Sequence, residues 1–195
     1  MKRFVKKALL LGITFVFMTP INAKAYTTFN GHKMSSGIGN YGNSTKFYWV
    51  DSSANTYSTK IANSFDRWIY STKYAGITTP ISYRKTTSKS ASTVDIYKVK
   101  SIGTGIVGQT MFFVNQTKVN PSVQNWYWSK IELSESLLSK FPQYQQVTIS
   151  HEIGHAFGLS HAAKQLMDPG ADLAYSIGIE FPRKDEFNGI NYLYK

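Results

Sequence analysis

Three histidines and a glutamate fall within eleven residues, His151-Glu-Ile-Gly-His-Ala-Phe-Gly-Leu-Ser-His161. Their spacing constrains local structure more tightly than any other part of the chain. Residues four apart on a helix lie one above the other, so His151 and His155 can aim both imidazoles at one point, with Glu152 beside them. His161 cannot join them on a continuous helix: six residues beyond His155, at about 100° each, it would lie roughly 240° around the axis. The helix must stop in between. Gly158 lets it stop, because glycine takes the left-handed conformation that ends helices and turns the chain back.

That donor set implies a definite chemistry. Three neutral imidazole nitrogens suit Zn²⁺ and leave the fourth tetrahedral position open, which separates a catalytic site from a closed structural one. The expected roles are His151, His155 and His161 as ligands of one catalytic zinc ion, and Glu152 as the general base that takes a proton from water and later returns it to the leaving amine. A purely structural metal site needs no such base.

The rest of the chain sets the context. Lys2, Arg3, Lys6 and Lys7 precede an apolar run over residues 8–18, and Ala23-Lys24-Ala25 follows. A charged region, an apolar region and a small-x-small site describe a signal peptide over residues 1–25, with the mature chain starting at Tyr26. The apolar run is about half the roughly 20 residues a spanning helix needs, so no stable membrane anchoring is expected after cleavage. Without a single cysteine, the chain has nothing for a disulfide or a thiolate ligand. Secretion as an unstapled monomer, one catalytic domain over residues 26–195, is the expectation, and a 42% hydrophobic content suffices for its core.

The formal charge of +11 overstates the basicity of that domain. Residues 1–25 hold five of the 22 basic residues and none of the 11 acidic ones, leaving 17 against 11, a surplus of six. Its densest part, Arg84, Lys85, Lys89, Lys98 and Lys100, reads as a solvated strand-and-loop face. Nothing matches a nucleic-acid-binding motif, and no nucleic acid is expected as partner.

Along the mature chain, residues 26–45 read as an irregular lead-in and 46–50 as a short aromatic strand. Ile61, Phe65, Trp68 and Ile69 then make one helical face that Gly76 can end. Residues 81–85, 94–99, 110–114 and 126–133 suit strands. A helix over 145–159 and a last helix starting at Pro182, with Asp185 and Glu186 near its positive end, complete an α/β order.

The complete motif HExxHxxGxxH from His151 to His161 resembles the signature of the metzincin clan of zinc peptidases. Met167, in Gln165-Leu-Met-Asp-Pro-Gly170, looks like the clan's methionine turn, which packs beneath the metal without ligating it. Val94-Asp-Ile96 and the segment from Lys184 to Tyr194 are similar to the third strand and final helix of the matrixin branch. The resemblance implies an α+β fold with a twisted five-stranded mixed sheet and two packed helices. The active-site helix would lie beneath the sheet and end at a glycine, followed by a small C-terminal lobe holding the methionine turn and the final helix. It also implies an extended protein or peptide substrate paired with an edge strand, for which residues 108–114 are the candidate. Pro169 stands where some clan members have a tyrosine ligand. His32 alone is left over for the second, structural zinc of many matrixins, which is therefore not expected. Calcium is possible, but no ligand run supports it. Residues 26–50 contain no Cys, Asp or Glu to block the open metal position, so no latency switch is expected.

Other signals carry less. Gly103-Thr-Gly-Ile-Val-Gly108 matches a dinucleotide fingerprint, yet a β-branched, aromatic segment follows it where a helix should start, so it reads as a flexible glycine loop. Trp126, Tyr127 and Trp128 form an alternating aromatic strand, with a stacking platform for sugars or bases as the alternative. The resemblance to matrixins implies that Tyr175, Ile177 and Ile179, which follow the methionine turn, wall an apolar pocket for the residue after the cleaved bond. Two rivals to a secreted zinc endopeptidase stay open: a secreted cell-surface or wall binding module with a non-catalytic zinc site, and a zinc amidase acting on a non-protein amide.

Overall fold

A computed structural model of the chain describes residues 26–195; the signal peptide expected over 1–25 lies outside the described residues. The sheet begins with β2 (Lys46–Val50), after a two-residue strand β1 (Thr27–Thr28) in the lead-in. Next come α1 (Ser58–Ile69) and α2 (Ser71–Ala75), then β3 (Tyr83–Thr86), β4 (Val94–Val99), β5 (Gly108–Val114), β6 (Thr117–Val119) and β7 (Trp128–Ser134). The C-terminal part holds α3 (Glu135–Lys140), α4 (Gln145–Ala156), β8 (Leu159–Ser160), α5 (Ala171–Ser176) and α6 (Lys184–Tyr194).

The main sheet runs β3-β2-β4-β7-β5-β6, with β2, β3, β4 and β7 parallel and β5 antiparallel to both β6 and β7. The fold is therefore mixed α/β on a mixed sheet, and the expected five strands become six. The sixth is the short return of a hairpin at Asn115 and Gln116, where Asn115 takes a positive φ of 54°. It pairs only with Phe112, Phe113 and Val114, so residues 108–111 of β5 keep an open edge.

Helices α1 and α4 pack on one face of the sheet. Ile61, Phe65 and Trp68 bury the apolar stripe of α1, and Phe65 stacks on Tyr48 of β2 at 3.7 Å. Almost every side chain of α4 is buried, so its polar groups need partners. Ser150 Oγ meets Ser64 Oγ at 2.9 Å, Gln146 Nε2 donates to Ser64 Oγ at 2.7 Å, and the Trp68 indole N–H donates to the Ser150 carbonyl at 3.1 Å. These bonds fix the rotation of α4 and therefore which of its side chains face the cleft.

Trp68 also meets Phe157 and Phe187 edge to face, both at 5.6 Å, which carries the same core into the C-terminal part. The last helix starts two residues later than expected. Arg183 is its N-cap, and its backbone N–H donates to Glu186 Oε2 at 2.8 Å, leaving Pro182 just outside.

Candidate metal centre

Helix α4 ends where the histidine spacing requires. The Gly158 N–H donates to the His155 carbonyl at 2.9 Å, and Gly158 takes a φ of 106°, a conformation that strains any residue with a Cβ. The chain then doubles back through β8, which pairs antiparallel with β1, Thr27 opposite Ser160 and Thr28 opposite Leu159. His161 follows directly, with its carbonyl accepting from the Thr27 hydroxyl.

The three imidazoles converge, with one candidate ligand atom from each lying within 4.8 Å of the others. Backbone carbonyls decide which nitrogen each ring presents. His151 Nδ1 lies 2.9 Å from the Leu166 carbonyl, and His155 Nδ1 lies 2.8 Å from that of Leu159. A carbonyl only accepts, so both Nδ1 atoms carry the proton and both Nε2 atoms present lone pairs. His161 Nε2 sits 3.2 Å from His155 Nε2. Burial pushes His151 down to about 4 and lowers His155 and His161 as well, with mutual repulsion of the rings adding to it at His151 and His155. Neutral rings with bare, converging nitrogens could hold a metal ion.

Glu152 lies on the same turn under β5. Thr110 Oγ1 stands 2.7 Å from its Oε2 and 3.0 Å from its backbone carbonyl, which anchors one side of the carboxylate. Burial pushes the carboxyl up to about 7, partly opposed by the Thr110 hydrogen bond. Gly108 passes directly over it: a Cβ there would stand 2.9 Å from Oε1 and 2.7 Å from Thr148. Two cavities share Gly108, Glu152 and His161. One, of about 210 Å³, continues to Gly105, Ile106 and Val107 and to Asp168, Pro169 and Ala171; the other, of about 270 Å³, is bordered by Gln109, Thr110, Phe112 and Phe29. The cleft thus extends to both sides of the carboxylate.

Beneath the cluster, Met167 packs against the helix between the two histidines. A Cβ on Gly154 would come 2.5 Å from its sulfur, so the close approach requires glycine. The Leu166 peptide ties this turn in two directions, its carbonyl to His151 and its N–H to Glu186 Oε1 at 3.0 Å. Asp168, buried, caps the turn by accepting from the Lys164 and Gly170 N–H groups.

The sequence reading did not find Thr110, Leu166, Leu159 or the N-terminal strand as partners of the site. Only Thr110 left a trace, as a hydroxyl in the strand expected to flank the cleft. Of the expected apolar wall, Ile179 is buried, its N–H folded back onto the Ala174 carbonyl, Ile177 is exposed, and Tyr175 meets Tyr144 edge to face at 5.7 Å. The apolar cavity beside the turn, about 350 Å³, is lined by Leu137, Phe141 and Tyr144 with Val107 and Pro169. No protein-family model and no curated protein matches the chain.

Proposed function

We propose that the chain is a secreted zinc-dependent endopeptidase of the metzincin type. The observation that carries this reading is the conjunction of three converging histidine nitrogens with a buried glutamate under an open strand edge. The donor set suits zinc: the 3.2 Å between His155 and His161 nitrogens compares with about 3.3 Å between two ligands of a tetrahedral ion with bonds of about 2.05 Å. A zinc ion held by His151, His155 and His161 supplies Lewis acidity toward a water and a scissile carbonyl.

The chain's own residues do the rest. The open edge of residues 108–111 offers backbone N–H and C=O groups to an extended peptide, holding it across Glu152. Thr110 holds Oε2, so Oε1 is the atom that takes the proton of the attacking water and passes it to the leaving amine. Leu137, Phe141 and Tyr144 favour an apolar side chain after the cleaved bond. The Met167 turn, packed at Gly154, supports the metzincin reading.

The test compares the purified protein with Glu152→Ala on an unfolded protein substrate, with zinc measured in both. Equal zinc and cleavage lost only in the variant is the expected result. Zinc bound but no cleavage by either would point to the binding module, and cleavage only of non-protein amides to the amidase.

A further inference from the structure

The face of the sheet turned away from α1 and α4 holds a cavity that this chemistry does not use. Strand register brings Trp49, Asp95 and Lys130 side by side across β2, β4 and β7, and sets Phe113 beside Trp128. Trp49 meets Tyr97 edge to face at 5.6 Å, and Trp128 lies nearly parallel to Phe113 at 4.2 Å. The cavity, about 580 Å³, is bordered by Lys89, Ser90, Ser92, Asp95, Gln116 and Trp128. That volume is within the roughly 300–1,000 Å³ of ordinary ligand sites.

Asp95 is only 4% exposed, and its Oδ1 has no hydrogen-bond partner within the protein. A buried carboxylate oxygen without a donor is costly, so it calls for one. The sheet beneath cannot supply it, because the amides there are spent on the ladders that join β4 to β2 and β7. The Ser92 side chain and the ammonium groups of Lys89 and Lys130 act on the carboxylate, and the cavity that Asp95 borders is where a ligand hydroxyl would add to them.

Neighbouring charges decide what kind of donor fits. Lys89 stands 5.5 Å from the rings of both Trp49 and Tyr97, and Lys130 stands 4.9 Å from Tyr97 while pairing with Glu132 at 2.6 Å. Two ammonium groups already hold the ring faces a cationic ligand would seek. A phosphate or sulfate would meet the Asp95 carboxylate, while the ammonium groups it would seek are already engaged by that carboxylate, by Glu132 and by the rings. The remaining match is an uncharged molecule with hydroxyl donors on its edge and an apolar face for the aromatic rings, the combination a pyranose offers. We propose that the outer face of the sheet binds a neutral saccharide, with Asp95 and Gln116 taking its hydroxyls and Trp128 carrying the apolar face of one ring.

The test titrates the protein with cellohexaose, chitohexaose, xylohexaose and maltohexaose, and separately with heparin and a single-stranded oligonucleotide. The readout is the NMR signal of the Trp128 indole N–H, which donates to the Asn115 carbonyl. At least one neutral hexasaccharide is expected to shift that signal, with an affinity unchanged from about 50 to about 500 mM salt. Trp128→Ala and Gln116→Ala should each weaken binding about five-fold or more, read by calorimetry, with zinc content unaffected. Gln116 lies exposed in the hairpin turn, so its removal does not threaten folding. No binding by any of the four, binding only to the anionic probes with steep loss in salt, or binding by both variants as tight as that of the parent would each overturn the proposal.

Discussion

Gly108 has no side chain where Glu152 needs the space. A methyl group there would meet Thr148 Cγ2 at 2.7 Å and Oε1 and Cγ of Glu152, both at 2.9 Å. On the proposed function, Gly108→Ala is expected to bind zinc like the parent and to cleave at least about ten-fold more slowly, because the carboxylate is pushed off the position proposed for proton transfer. Metal analysis and steady-state rates check this, and unchanged rates would mean that Oε1 has room to move. Glu152 also sets a pH response in metal-free protein. Its carboxyl is raised to about 7 by burial, so the folded state keeps a proton that the unfolded chain has lost above about 4.5. That contribution is complete below the unfolded value and disappears as pH rises through 7. His151, lowered to about 4, works in the opposite sense, with its contribution complete above about 6.5 and lost as pH falls toward 4. Glu152→Gln should then stabilise metal-free protein by up to about 3 kcal/mol above about pH 8 and change little below about pH 4, measured by urea unfolding. A difference that stays constant with pH would show that the carboxyl is not raised.

Among the elements, the two-residue strand β1 has an effect out of proportion to its length. It pairs with β8, its Thr27 hydroxyl holds the His161 carbonyl, and Phe29 just beyond it sets its ring 5.7 Å from that of His155. His161, at the exposed side of the cluster, is thus held by the first strand of the described residues. Removing residues 26–29 is expected to cost about 10–100-fold in zinc affinity, the usual scale for groups that orient ligands, with Thr27→Val giving part of that loss. Competition with a chelator measures it, and undiminished affinity in the truncated protein would show that β8 stands alone. Such a strap is not legible in residues 26–45, where Gly, Asn, Ser and Thr give no period and the pairing partner lies over 130 residues away. Legible elements are those with a local signal. Strands 46–50 and 94–99 fall where their aromatic and β-branched residues put them, and the end of α4 falls at the one glycine that separates His155 from His161. Helices α3 and α5 are six residues each, too short for a period to declare itself, and β6 exists only because the turn at Asn115 and Gln116 folds it back.

At the scale of the molecule, α4 is gripped from both sides: by the sheet and α1 above, and by the Met167 turn below, which α6 holds in place. The link is Glu186, 2% exposed, whose two oxygens accept the Arg183 and Leu166 N–H groups while the Leu166 carbonyl accepts from His151. A chain of three hydrogen bonds therefore runs from the first turn of the last helix to the first histidine. Glu186→Ala would leave two N–H groups without acceptors, one at the helix start and one beneath the metal centre. At about 1–3 kcal/mol for each donor left buried and unpaired, the fold should lose about 2–4 kcal/mol, allowing for partial hydration at the helix end. Stability alone does not distinguish a link from a local cap, so the informative readout is metal. If Leu166 positions His151 through α6, zinc affinity should fall well beyond the change seen for Asp185→Ala, which removes the neighbouring acid of the same helical turn while leaving Glu186 in place. Equal zinc affinity in the two variants, with Glu186→Ala still the less stable, would mean that the turn holds His151 without help from the last helix.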